Sequence, residues 1–221
     1  MKKKLFIIGA GSVGGHIAYN ITEYSDEFVI AGFFDDDLQK VGTSQFGVKI
    51  LGTVDEVLKL KDAHIVIGIS FPKIKQKIIK LLSSNSTLKF PTLVHSRAWI
   101  SNGVSLGKGS IIYPGTAINY GSNIDDFVCI NMNCSLGHHT KVGRYVSLAP
   151  GVNTGGYTTV EDGVEIGIGT STLQKVCIGR ESIIGGQTMV IEDITAGATA
   201  VGVPAKTIST SLAAVFNNSE K

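Results

Sequence analysis

Two adjacent histidines, His138 and His139, stand in 136-LGHHTKVGRYVS-147, a segment otherwise built of small, apolar and glycine residues. Histidine ionises near neutrality, so such a residue can take a proton from an attacking amine or hydroxyl. A second feature is 9-GAGSVG-14, a GxGxxG pattern between an apolar run, 4-KLFIIG-9, and a helical stretch to about Tyr24. A strand that ends in a glycine turn and opens a helix presents backbone N–H groups to a phosphate. Acidic residues, 35-DDD-37, follow the next strand, 28-FVIAGFF-34, near where ribose or base hydroxyls are met. Each feature has a plain alternative: an inert exposed pair, and a βα turn that needs glycine for packing alone. Adjacent strand residues point to opposite faces unless a turn intervenes, so 138 and 139 make a poor chelate. Zinc needs three or four ligands, and no other Cys/His cluster is present, so no metal is expected. His16, His64 and His95 read as structural, with His16 close to the glycine turn.

The elements that must position the pair come from a repeat. Stepping by six from Ile100 to Val190, fourteen of the sixteen residues reached are Ile, Leu or Val, and the other two are Thr. The residues four further on, Val104 to Ile194, are Val, Ser, Thr or Cys except for Ile194. No insertion interrupts the pattern. A helix needs a period near 3.6 and an ordinary strand a period of 2. A period of six marks a parallel β-helix, three short walls making a coil of about 18 residues. Ile100, Ile118, Leu136, Thr154, Thr172 and Val190 should then form one column. By the same rule Gly155 and Gly156 lie over His138, where missing side chains leave room for a ligand. Bare coils leave faces that associate, so an oligomer is expected.

Residues 1–95 read as a small α/β unit. Strands are expected over 4–9, 28–34, 64–70 and 90–95, with helices from the glycine turn to Tyr24, over 54–60, and over 72–82, where Pro72 sits at the start. Alternating strands and helices imply a parallel sheet. The unit is half of a dinucleotide fold, which favours one nucleotide over NAD. Residues 96–206 form the coil, and 207–221 a partly helix-compatible tail.

Composition bounds the rest. The chain has 221 residues, 43% hydrophobic and 17% charged, with a net charge of +2. That excludes a disordered chain and gives no dedicated nucleic-acid surface. Cys129, Cys134 and Cys177 lack CxxC spacing, so a disulfide framework is not expected and a cytoplasmic location is the simplest reading. Cys134 falls at an inward small-residue position and reads as packing. The basic start and apolar run of MKKKLFIIGAG resemble a signal peptide in passing, but the run breaks at Gly9 into the glycine motif. No apolar run is long enough to span a membrane.

The whole pattern resembles the sugar acetyltransferases that act on nucleotide-activated amino sugars, with sialic acid O-acetyltransferases as cousins. The resemblance rests on 9-GAGSVG-14, 33-FFDDD-37, the six-residue register, His138 and 201-VGVPAK-206. It implies an α/β Rossmann-like half-sheet followed by an all-β left-handed parallel β-helix of hexapeptide repeats. It implies acetyl-CoA as co-substrate and a homotrimer with active sites between subunits. His138 would be the general base, His139 would stand where relatives carry a supporting Glu, and Asn131 would line the same site. Ser147, Gly155, Gly156, Ile168, Gly186 and Lys206 would meet coenzyme A, Gly156 through its N–H on the thioester oxygen. Ser12, Val13, Gly14, Asp35, Asp36 and Ile67 would meet the nucleotide sugar. This chain departs from the family in His139, in Ser147 where His is frequent, and in the form of the glycine loop.

The implied activity is N-acetylation of a nucleotide-linked amino sugar, such as a UDP-4-amino-4,6-dideoxy sugar. O-acetylation of a sugar is the near alternative. Two rivals belong to other classes. An NAD-dependent oxidoreductase would need a second half-sheet, and a non-catalytic trimeric scaffold would tolerate loss of His138.

Overall fold

The computed structural model describes residues 2–209. The chain divides into two compact units between Ser96 and Arg97.

The first unit runs β1 (Lys3–Ile8), α1 (Ser12–Tyr24), β2 (Phe28–Phe34), β3 (Ser44–Gln45), β4 (Val48–Gly52), a 3-10 helix (Val54–Lys59), β5 (His64–Ile67) and α2 (Pro72–Leu82). The sheet order is β3-β4-β2-β1-β5. β1 lies at its heart, paired parallel with β2 and β5. Leu5, Ile7 and Ile8 of β1 and Ile65 and Val66 of β5 are fully buried. Continuous apolar strands of this kind belong to a sheet covered on both faces. Two expectations need correction. The strand expected over 64–70 ends at Ile67, and Gly68 just beyond it donates its N–H to the Ile8 carbonyl. The strand expected over 90–95 is reduced to Leu93–Val94. The hairpin of β3 and β4 was not foreseen. Its turn, Phe46 and Gly47, has positive φ at both residues, the conformation that joins tightly paired strands.

The third glycine of the turn brings helix and sheet together. A Cβ on Gly14 would stand 2.0 Å from the Gly9 carbonyl oxygen and 3.1 Å from the Phe33 ring. No side chain fits there, so α1 lies directly on the start of the turn. Gly9 itself has φ +93, which glycine adopts without cost.

The second unit is a parallel β-helix. Its two-residue strands stack in columns, such as Trp99–Ile100, Ala117–Ile118, Ser135–Leu136 and Asn153–Thr154. Partners are 18 residues apart, as in Ile100↔Ile118 and Ile118↔Leu136. The large inward residues pack the axis: Ile118, Ile130, Leu148 and Ile178 have 0% exposure. The small inward residues are buried too, and their hydroxyls donate to backbone carbonyls near the corners. Thr116 donates to Asn131, Thr140 to Gly137 and Thr170 to Gly185. A buried hydroxyl must find such a partner, and Ser or Thr at this position has a carbonyl at hand.

The register does not run unbroken to 194. Ile178 pairs with Ile194 and Ile183 with Thr199, offsets of 16 residues. Asp193 compensates: its carboxylate accepts the Cys177 N–H at 2.7 Å in place of a backbone carbonyl. Ile194, the exception in the sequence pattern, marks this shortened coil. Lys206–Ser209 then turns back antiparallel against Thr199–Val201, so the first residues of the expected tail are strand. Residues 210–221 lie outside the described residues.

The close approach at Gly14 yields a stability test. Helix preference alone favours alanine over glycine by about 1 kcal/mol. The overlap with a backbone oxygen works the other way and costs about 2–3 kcal/mol. Gly14→Ala is expected to melt several degrees lower in a thermal scan; an equal or higher midpoint would show that the contact yields without cost.

Candidate active site

His138 and His139 occupy a corner of the coil, in the turn after the strand Ser135–Leu136. The expectation that they point apart is therefore corrected. His139 adopts φ +57, and this left-handed residue brings the two rings to one side. Their Nδ1 atoms are 3.1 Å apart. The rings above and below complete a stack. Tyr120 lies flat on His138, with centroids 5.5 Å apart and planes at 12°. Tyr157 lies flat on His139, at 4.7 Å and 9°. Each ring has glycine for its other vertical neighbour. A Cβ on Gly156 would stand 2.7 Å from His138 Nε2, and one on Gly121 2.9 Å from His139 Nε2. Gly155 lies over Gly137, whose Cβ would meet the Gly155 carbonyl carbon at 2.7 Å. The 18-residue register thus sets Gly156 over His138, as expected, whereas Gly155 lies over Gly137 beside it. Tyr120 and Tyr157 were missed, although each is 18 residues from one histidine and could have been counted out.

The other coil residues singled out lie elsewhere. Asn131 follows the strand Cys129–Ile130 and caps the next corner, its side-chain oxygen accepting the Met132 N–H at 2.8 Å. Ser147 belongs to the same column, between Cys129 and Glu165. Ile168 and Gly186 are at that second corner, where Ile168 is 59% exposed and Met132 37%. Lys206 is exposed on the last strand. The structure therefore unites His138, His139 and the glycines at one corner of the coil. Asn131, Ser147, Ile168 and Gly186 gather at another.

In the first unit the N-cap, Gly11, is exposed and has open space where a side chain would stand. Ser12 is exposed beside it, whereas Val13 and Gly14 are buried. What the buried pair can offer a ligand is backbone N–H, not side chain. The first N–H groups of a helix lack intrahelical partners, so the open glycine makes an anion-sized approach. Ile67 is 2% exposed, so its side chain belongs to the core and not to a ligand surface. Asp35 braces the glycine turn, because its carboxylate accepts the Ala10 N–H at 2.8 Å and the Asp37 N–H at 3.0 Å. Asp36 accepts the Val54 N–H at 2.9 Å at the start of the 3-10 helix. His16 contacts the Tyr24 hydroxyl at 2.9 Å through Nε2. Among the described residues no group of three His, Cys, Asp or Glu is placed to hold a metal ion. Nor is any helix among them long and apolar enough to cross a membrane.

The fold has counterparts among proteins of known structure. Residues 4–82 match the PglD N-terminal domain family. The chain is similar to the acetyltransferase domain of PglB from Neisseria gonorrhoeae FA1090, with 25% identity and TM-score 0.85 over 94% of this chain and 100% of that one. The same domain is known in complex with acetyl coenzyme A. WeeI from Acinetobacter baumannii AYE is 26% identical, with TM-score 0.82 over 94% of this chain and 100% of that one. A variant of GDP-perosamine N-acetyl transferase from Caulobacter crescentus, in complex with CoA and GDP-perosamine, shares the fold at 24% identity and TM-score 0.85, over 93% of this chain and 97% of that one. No curated protein sequence matches the chain. The resemblance to sugar acetyltransferases, the two-part fold and the enzyme class it implied are borne out by these likenesses.

Two tests follow from the titratable groups. Burial holds His16 below the ordinary histidine value of 6.5, and the nearby His95 adds to the effect. Burial lowers His64 as well, with Lys89 and Lys3 contributing. The unfolded chain then binds more protons than the folded one as pH falls below 6.5. Stability from these groups is present above that value and is lost as pH falls through it toward the folded values. The thermal midpoint should drop on mild acidification, and His16→Gln should reduce the slope; a flat midpoint would contradict the assignment. Burial also pushes the Cys134 thiol up to about 11. At about pH 8 roughly one Cys134 in a thousand is then thiolate. Mass spectrometry after alkylation should find Cys134 unmodified in the folded protein and modified after denaturation.

Proposed function

We propose that the chain is an acetyl-CoA-dependent N-acetyltransferase for a nucleotide-linked amino sugar, such as a UDP-4-amino-4,6-dideoxy sugar. The first unit, residues 1–95, binds the nucleotide at Gly11 and the start of α1. The coil, residues 96–206, carries the chemistry. The observation that carries this reading is the placement of His138 Nε2 against Gly156, where a Cβ would stand at 2.7 Å. That Cβ would also stand 2.8 Å from Cε1 and 3.1 Å from Cδ2, on the face of the ring, so glycine keeps a side chain off the face of the base.

N-acetylation needs an amine to attack the thioester carbonyl, lose a proton and leave an oxyanion stabilised. His138 takes the proton. The Gly156 N–H is the donor assigned to the oxyanion. Transfer is direct, because Cys134 is buried and its thiol is held protonated. Acetyl-CoA supplies the activated acetyl group, and its arm would run along Ser147, Ile168 and Gly186, with Lys206 for its phosphates.

Those residues stand on a different corner of the coil from His138. One coil cannot unite them, whereas two neighbouring coils can. Exposed apolar side chains mark both corners: Leu173 and Ile191 on the histidine side, Met132 and Ile168 on the other. We therefore propose a homotrimer with active sites between subunits, and with it a cytoplasmic location. O-acetylation of a sugar uses the same base and differs only in the acceptor.

The test is release of free thiol from acetyl-CoA with a panel of nucleotide-linked 4-amino sugars, for the natural chain and for His138→Ala. One amino sugar should support turnover, and the variant should lose about 100-fold or more while keeping its oligomeric state. Release with hydroxyl acceptors alone would move the reading to O-acetylation. Intact oligomers that neither bind coenzyme A nor release thiol would reduce the chain to a scaffold.

A further inference from the structure

We infer that His139 is a positioning residue that sets the tautomer of His138 and shares its proton, an inference that rests on the reading of His138 as the base. The two Nδ1 atoms are 3.1 Å apart. Two bare ring nitrogens at that distance repel, and two N–H groups collide, so the contact holds one proton. Two neutral arrangements satisfy it. In the first, His138 donates from Nδ1 and its Nε2 is bare, while His139 accepts at Nδ1 and carries its own proton on Nε2. In the second the roles reverse, and His138 Nε2 bears a proton and cannot act as a base. His138 Nδ1 is taken up by this contact, so a base at His138 acts through Nε2, and the first arrangement is the working one.

The surroundings fix both rings in this contact. His139 is anchored by its N–H to the Tyr120 carbonyl at 2.9 Å. Tyr157 covers the face of His139, and Tyr120 that of His138.

The proton count closes over one turnover. As the amine nitrogen bonds to the acetyl carbon, its proton passes to His138 Nε2, and the charge spreads through the Nδ1 contact to His139. As the carbon–sulfur bond breaks, its electron pair leaves on sulfur. The Nε2 proton then moves to that sulfur, giving free thiol and restoring the neutral pair. His139 thus does without charge what a carboxylate would do with one.

The test uses two variants that keep the corner intact. At φ +57 both glycine and asparagine are tolerated. His139→Asn keeps an acceptor near the Nδ1 position, and His139→Gly removes it. Long-range 15N NMR of the full chain at alkaline pH reports which His138 nitrogen is protonated. Nδ1 is expected in the natural chain and in His139→Asn, and mainly Nε2 in His139→Gly. In the thiol-release assay kcat of His139→Gly should fall roughly 10- to 100-fold with KM for acetyl-CoA unchanged, and His139→Asn should stay within several-fold. A His138 protonated at Nε2 in the natural chain, or the same tautomer in His139→Gly, overturns the inference. Should the natural chain transfer no acetyl group to any acceptor, the enzymatic reading fails by itself, and the NMR pattern still decides the pairing.

Discussion

Everything at the histidine corner depends on one spacing, the 18 residues between a side chain and the one stacked on it. That spacing converts sequence distance into vertical contact. It sets Tyr120 on His138 and Tyr157 on His139. It also puts glycine where a further ring would otherwise press on each histidine. Each of the two columns of the corner holds two rings and a glycine, in opposite order: Tyr120, His138 and Gly156 in one, Gly121, His139 and Tyr157 in the other. Each tyrosine fills the gap beside a glycine. One residue inserted into the coil would slide every contact and leave a histidine facing the wrong neighbour. The inward aliphatic column resists such slippage, because a shift would expose several fully buried Ile and Leu side chains, each worth about 1.5–3 kcal/mol.

The first unit solves a different problem by related means. A helix N-terminus must be open to an anion yet held firmly on the sheet. Gly14 provides the close approach, and Gly11 leaves the approach clear. Asp35 then ties the turn to the end of β2 through the Ala10 N–H. An acid placed where a ribose hydroxyl could be met also braces the loop that would hold the phosphate. Asp35 thus holds the turn in place while Gly11 beside it stays open.

The coil was legible because inward packing repeats every six residues and leaves a periodic trace. The α/β unit was legible because apolar strands alternate with amphipathic stretches and punctuating glycines. What escaped has local physical causes. The hairpin of β3 and β4 depends on Phe46 taking a positive φ, which its residue type does not announce. The shortened last coil depends on the Asp193 carboxylate standing in for a carbonyl, a substitution no periodicity reveals. The orientation of His138 and His139 turned on a corner residue in the left-handed region, where the strand rule of opposite faces does not apply. Ile67 was assigned to a ligand by position, but the sheet buries it. Asn131 and Ser147 carry no periodic sign that they lie at another column of the coil from His138; only the register of the pairs shows it.

The cost of that left-handed region shows what is special about the corner. An ordinary side chain there costs about 1–2 kcal/mol, and many turns of the coil avoid this with glycine. Another corner keeps side chains at the same turn position: Phe127 and Tyr145 both have positive φ and stack at 5.8 Å and 6°. Such a stack contributes about 0.5–1.5 kcal/mol, comparable to the strain. Ring stacking therefore suffices to explain why aromatic residues occupy left-handed turns, with no chemistry invoked. The histidine corner has the same strain and the same stacking, so neither identifies it as a site. What it adds is two ring nitrogens in hydrogen-bonding contact and a glycine over the face of one of the rings. Phenyl rings would give the stack; only imidazoles give an acceptor and a proton in that place, and the glycine above keeps a further side chain off the ring.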